Sequence, residues 1–195
     1  MTPQVEARLN DLAAPVRDQS VGELLQALAA ALDRGGEVEP EPVARDAAGR
    51  VTRTGPLSLP RREDLRVTEG GRSRPLRIET PEPVEFEPLC LVAEGGFTTV
   101  LGPFRWEAAE LTVETRQSRP DWRALRLWFL DGFQPRFGEL APDLTGAVHA
   151  LDGPRTGTAP GVLRFTVDFG SAPVEALGAM IAAIGESGCL RLRIG

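Results

Sequence analysis

The chain has 195 residues, of which 42 % are hydrophobic and 26 % charged, a composition that fits one globular domain with appendages and excludes wholesale disorder. Its formal charge of −6 speaks against a general nucleic-acid binder and against an anionic membrane surface as partner, since both need a basic face. All 22 basic residues are arginine and tyrosine is absent, so Schiff-base chemistry and lysine-assisted phosphate chemistry are excluded.

The N-terminal zone, residues 1–35, reads as helical. Thr2 is placed to cap a helix with Pro3 in its first turn, and Val5, Leu9 and Leu12 share one face. Pro15 predicts an interruption. A second helix is expected from Ser20, where Ser20-x-x-Glu23 has the spacing of a capping box. Val21, Leu24, Leu25, Leu28 and Leu32 form its stripe, and Gly35-Gly36 ends it. The segment begins without the apolar core of a signal peptide, and no apolar run approaches the ~20 residues of a membrane span, so the expected compartment is the cytoplasm, with no membrane partner.

Residues 36–83 carry many prolines, glycines and charges of both signs, and read as an extended, partly ordered linker with a strand or two. From residue 84 the pattern sharpens into an α+β domain, 84–195. VEFEPLCLVAE and FTTVLGPFRW flank Glu94-Gly95-Gly96, a hairpin signal. ELTVETR alternates as a strand. In PDWRALRLWFLDGF, Trp122, Leu125, Phe129 and Phe133 mark a helix face, although RALRLWFL also admits a strand reading. GAVHAL and VLRFTVDF are strand patterns joined by a loop over 152–161. Ser171 is placed to cap a helix with Val174, Leu177, Ile181 and Ile184 on its buried side, stopped at Gly188, and CLRLRIG closes the chain as a strand.

The last ninety or so residues thus spell β-α-β-β-α-β, which resembles the ferredoxin-like split βαβ order. The expected fold is α+β: a ferredoxin-like C-terminal domain, an extra N-terminal hairpin on its sheet and an N-terminal helical appendage. Right-handed crossovers predict the last strand beside the first, with Arg191 and Arg193 on the same outer face as Glu110, Thr112 and Glu114. That face lacks the aromatics of an RNA-binding sheet.

Motifs of chemistry are sparse. His149 is the only histidine, which removes His-rich zinc sites and two-histidine mechanisms; it reads as a strand residue satisfied locally. Asp168-Phe169-Gly170 spells the metal-binding tripeptide of protein kinases, but the glycine-rich loop, the catalytic loop and the lysine are missing, so it reads as a strand end. Cys90 and Cys189, far apart, read as small apolar strand residues. Trp122 and Trp128, six apart, cannot share one helix face, which predicts one of them exposed beside the acidic loop residues Asp131, Glu139, Asp143 and Asp152. With His149 these are the candidate binding residues. The expected function is a non-enzymatic protein-interaction module, such as a toxin-immunity protein or assembly adaptor, binding a protein partner and capable of self-pairing, with no metal or cofactor. The alternatives are a small-molecule-sensing regulatory domain and an enzyme using His149 or an acidic cluster.

Overall fold

The computed structural model describes residues 2–78, 82–93, 96–117, 119–134 and 143–195. It is a mixed α+β protein with, among the described residues, one long N-terminal helix and three sheets. Helix α1 runs unbroken over Pro3–Asp33 and carries Pro15 inside it, so the expected pair of helices is one. Proline removes one backbone donor, but packing along the whole helix outweighs that loss. Leu9, Ala13 and Val16 enter the main core, while Val21, Leu24 and Leu28 build a second one. Ser20 therefore lies within the helix and opens nothing, and Thr2 makes no side-chain cap bond. Gly35, at φ 76°, ends the helix as expected. The helix is no appendage; Arg17 also ties it to the far end of the chain by donating to the Ala172 carbonyl at 3.0 Å.

The stretch read as linker is built into two small sheets. β1 (Glu37–Pro40), β4 (Leu65–Glu69) and β5 (Arg72–Leu76) pair in the order β1-β4-β5, and β2 (Arg53–Thr54) pairs with β3 (Leu59–Pro60). Short apolar stubs suffice because they are buried from above. Leu65 joins the second core beneath α1, where Val38 and Leu76 pack against it.

The main sheet has six strands in the order β6-β7-β11-β8-β10-β9. They are β6 (Leu89–Val92), β7 (Thr98–Leu101), β8 (Ala109–Thr115), β9 (Ala150–Thr156), β10 (Val162–Asp168) and β11 (Cys189–Ile194). The β6–β7 hairpin joins through a parallel β7–β11 pairing, and the other pairs are antiparallel. Alternation places Ala109, Leu111, Val113, Phe165, Val167, Leu192 and Ile194 in the main core. Helices α2 (Arg123–Phe133) and α3 (Glu175–Glu186) cover that core with Leu125, Phe129, Leu177, Met180, Ile181 and Ile184.

The last strand lies beside β8, with Arg191 opposite Glu114 and Arg193 opposite Thr112. Arg191 and Glu114 form the expected cross-strand ion pair at 3.7 Å. Both are half exposed, so the pair contributes at most about 1 kcal/mol. Cys90 and Cys189 stand in strands as free thiols. No helix among the described residues is long and apolar enough to cross a membrane.

Two local expectations change. Only the last two residues of GAVHAL are strand, because the backbone before them pairs elsewhere: the Val148 N–H donates to Gly132 O and the His149 carbonyl accepts from Arg62 N–H, so β9 starts at Ala150. Ser171 caps no helix either. Its hydroxyl accepts a bond from the Gly146 N–H at 2.8 Å, and α3 begins later, at Glu175.

Candidate functional site

Two ladder ends meet at one point. In the small sheet Pro40 pairs with Leu65, so the next residues outward, Glu41 and Asp64, face each other, and the Glu41 N–H donates to Asp64 O at 2.8 Å. In the main sheet Ala150 pairs with Asp168, and the His149 N–H donates to Asp168 O at 2.9 Å. Arg62 stitches the two ends together. Its N–H reaches His149 O at 2.9 Å and its guanidinium reaches the Glu41 and Phe133 carbonyls at 2.5 and 3.0 Å. The result is a buried centre of His149, Glu41, Asp64 and Asp168, drawn from segments more than a hundred residues apart.

Glu41 anchors it. The residue is fully buried and sits at φ 49°, a left-handed conformation uncommon outside glycine. One carboxylate oxygen accepts from the Thr145 N–H (2.5 Å) and hydroxyl (2.8 Å); the other meets His149 Nε2 at 2.7 Å and accepts from the Ser171 N–H at 3.2 Å. Burial pushes its pKa up, but the bond and charge of His149 and the donors of Ser171 and Thr145 outweigh that and hold it at about 2. An ionised Glu41 accepts only, so Nε2 carries the proton toward it.

The other ring nitrogen is different. His149 Nδ1 lies 3.3 Å from Asp64 Oδ1 and 3.8 Å from Asp168 Oδ1, yet it is off the hydrogen-bond line of both and has no bonded partner. Burial would depress the imidazole, but Asp168, Asp64 and Glu41 together raise it to about 10. Asp64 is lowered despite burial by His149, the Ile78 N–H and Arg77. Asp168 is raised to about 6, by burial first, with His149 pulling the other way and Asp64 and Glu107 adding repulsion.

Glu107, in a 3-10 turn over Trp106–Ala108, completes the rim. It is held near Asp168 because Trp106 stacks on Phe169 at 4.5 Å and bonds the Gly170 carbonyl through Nε1. Its Oε2 is buried and unbonded. A cavity of about 20 Å³ lies between Asp64, Glu107, His149, Asp168 and Gly170, roofed by Ser20 and Leu24 of α1. Beside it opens a pocket of about 360 Å³ that shares Asp64, Glu107 and Asp168 and is rimmed by Arg45, Arg61, Arg62 and Arg77.

Of the described residues expected to bind, only His149 lies here. Trp122 packs edge-on against Phe165 at 4.8 Å and is 9 % exposed. Trp128 donates from Nε1 to Ala176 O at 3.1 Å and packs on Phe169. Neither is a spare aromatic anchor; the exposed apolar residues of α2 are Leu127 and Leu130. Asp131 and Asp143 are exposed, and Asp152 pairs with Arg155 beside the turn at Gly55. Glu139 lies outside the described residues. Nε2 of His149 meets a buried carboxylate 108 positions away, where the sequence predicts a residue satisfied locally. Asp168 was visible as part of the Asp-Phe-Gly run, whereas Glu41, Asp64, Glu107 and Thr145 carry no motif. No protein-family model, curated protein or solved structure matches this chain.

Proposed function

We propose that the chain works by binding a small polar ligand in the arginine-rimmed pocket above His149, as a sensing or regulatory module. The observation that carries this is the pair of buried polar atoms without a hydrogen bond, His149 Nδ1 and Glu107 Oε2, which line the small cavity adjoining the pocket, Glu107 being shared by both. An unmet buried polar atom costs about 1–3 kcal/mol, so retaining two at a single opening is the signature of a place that a ligand completes. Four arginines on the rim suit an anionic group, carboxylate or phosphate. The order β11-β8-β10-β9, with α2 and α3 packed together, supports reading 109–194 as a ferredoxin-like unit, to which α1 and the small sheet add the pocket. Thermal-shift screening of the full chain against anionic metabolites tests it. A true ligand at a hundred times its Kd adds about 2.7 kcal/mol of stability, and the gain shrinks in an Arg61→Ala/Arg77→Ala double variant. A flat screen, or an unchanged gain in that variant, counts against the pocket.

A second reading, the protein-interaction module, has one specific support. Edge strand β6 leaves Val92 71 % exposed at the lip of an apolar groove of about 630 Å³, lined by Val5, Leu91, Phe97 and Ile181. Size-exclusion light scattering and pull-down with wild type and Val92→Arg test it; an unretained, monomeric wild type speaks against it.

A further inference from the structure

We propose that Asp64, Asp168 and Nδ1 of His149 bind one divalent transition-metal ion, of the Mn²⁺ or Zn²⁺ class, at the floor of the arginine-rimmed pocket. The inference deepens the pocket reading on which it rests, because an ion on an acidic floor is what would let an anion approach it.

Four observations converge. First, one donor atom from each of the three residues lies within 4.8 Å of the other two, and Nδ1 stands 3.3 and 3.8 Å from the two carboxylates. Donors each ~2.1 Å from a shared ion sit about 3.0–3.4 Å apart at octahedral or tetrahedral angles, so modest closure completes the set. Second, the donors are held in place. Ile78 N–H holds Asp64 Oδ2 at 2.8 Å and leaves Oδ1 facing inward. Gly170 N–H bonds Asp168 Oδ1, the oxygen nearest Nδ1, at 2.9 Å, which fixes that carboxylate and leaves its Oδ1 a further lone pair, and Glu41 takes the Nε2 proton. A carboxylate on the far ring nitrogen orients the ring as metal-ligating histidines are oriented, and an ion entering here displaces the Nδ1 proton, as metal binding to imidazole does.

Third, Nδ1 is 99 % shielded with its residue, aimed into the cluster and unbonded, and Glu107 Oε2 is a second buried, unbonded atom on the same cavity. Fourth, the cavity of about 20 Å³ is the size of one ion or one water, and the larger pocket beside it is an entry path. Neither cysteine lines this cavity, so one imidazole with carboxylates is the donor set. That set favours Mn²⁺ and Zn²⁺ over soft ions, and its nitrogen disfavours Mg²⁺ and Ca²⁺.

The test uses the full chain stripped with a chelator and titrated with Mn²⁺, following loss of the hydrated-ion EPR signal, with Zn²⁺ as competitor. The expected result is one Mn²⁺ per chain, displaced by Zn²⁺. Asp64→Asn and Asp168→Asn, each shown folded by circular dichroism, weaken binding at least tenfold, while the surface variant Asp121→Asn leaves it unchanged. If one of the pair fails to fold, the other decides. Absence of saturable one-to-one binding, or equal binding by the folded variants, overturns the proposal and leaves a water as occupant. Failure of the two readings is separable. Anion-induced stabilisation in chelator, lost in the Arg61/Arg77 variant, keeps the pocket and removes the ion. One-to-one Mn²⁺ binding with a flat anion screen keeps the ion and removes the anion.

Discussion

Replacing Glu41 with glutamine isolates the part of the centre on which everything else stands. The amide keeps the shape but turns one acceptor oxygen into a donor. It must then oppose either the Thr145 N–H and hydroxyl or the His149 and Ser171 donors. Removing one partner from a buried ion pair costs about 3–5 kcal/mol. The fall of the Glu41 pKa from 4.5 to about 2 gives a similar figure, about 3 kcal/mol, at about 1.4 kcal/mol per tenfold change in proton affinity. Against a total stability of about 5–15 kcal/mol, that loss is readily measured. Urea unfolding followed by tryptophan fluorescence reports it, since Trp106, Trp122 and Trp128 all pack in or against the main core.

The pH dependence of the Glu41→Gln deficit has a defined sign. A carboxylate with a depressed pKa stabilises above 4.5, and that contribution is lost as pH falls toward 2. An imidazole raised to about 10 stabilises below 6.5, and that contribution is lost as pH rises through 10. Asp168 acts oppositely: its raised pKa erodes stability between 3.8 and about 6 in both proteins. The deficit is therefore widest between about pH 5 and 6.5 and narrows as pH falls toward 2 or rises toward 10. A deficit below about 1 kcal/mol at pH 7, or one independent of pH, would refute the charged pairing.

Gly170→Ala should cost about 1–3 kcal/mol and perturb the centre, because a Cβ there would lie 2.2 Å from His149 Cδ2 at a φ of 52°; thermal denaturation with and without Mn²⁺ reads both effects. Leu9→Ala should cost about 2–5 kcal/mol in urea unfolding if α1 belongs to the core; a loss within error would return the helix to the status of an appendage. Phe165→Ala should cost about 3–5 kcal/mol and Arg164→Ala under about 1 kcal/mol, and equal losses would contradict the one-sided burial of β10.

The strands and helices of 84–195 were legible because their periodicity is also their burial: Leu111 and Val113, Phe165 and Val167, Leu192 and Ile194 alternate inward as written. The neighbour relation of β11 and β8 was legible from crossover handedness, with the charge pattern in support. Pro15 predicts a break that does not occur, because a local rule for helix breaking takes no account of the two cores that hold the helix on either side of it. Residues 36–78 read as linker for a related reason, since Leu65 is buried in a core with Leu24 and Leu28 of a helix that local composition does not announce. The centre itself was nearly silent. Its parts sit at strand ends, where alternation stops, and Glu41 meets His149 across 108 positions. Asp168 and His149 were both singled out, but the residues that give them meaning lay in the stretch read as linker.

The most direct measurement is anomalous diffraction from crystals of the full chain grown with Mn²⁺. The account predicts one anomalous peak about 2.0–2.2 Å from His149 Nδ1 and from a carboxylate oxygen of both Asp64 and Asp168, with Glu41 still on Nε2. A water-level peak without anomalous signal between these three side chains, with Mn²⁺ found only on surface carboxylates, would contradict it.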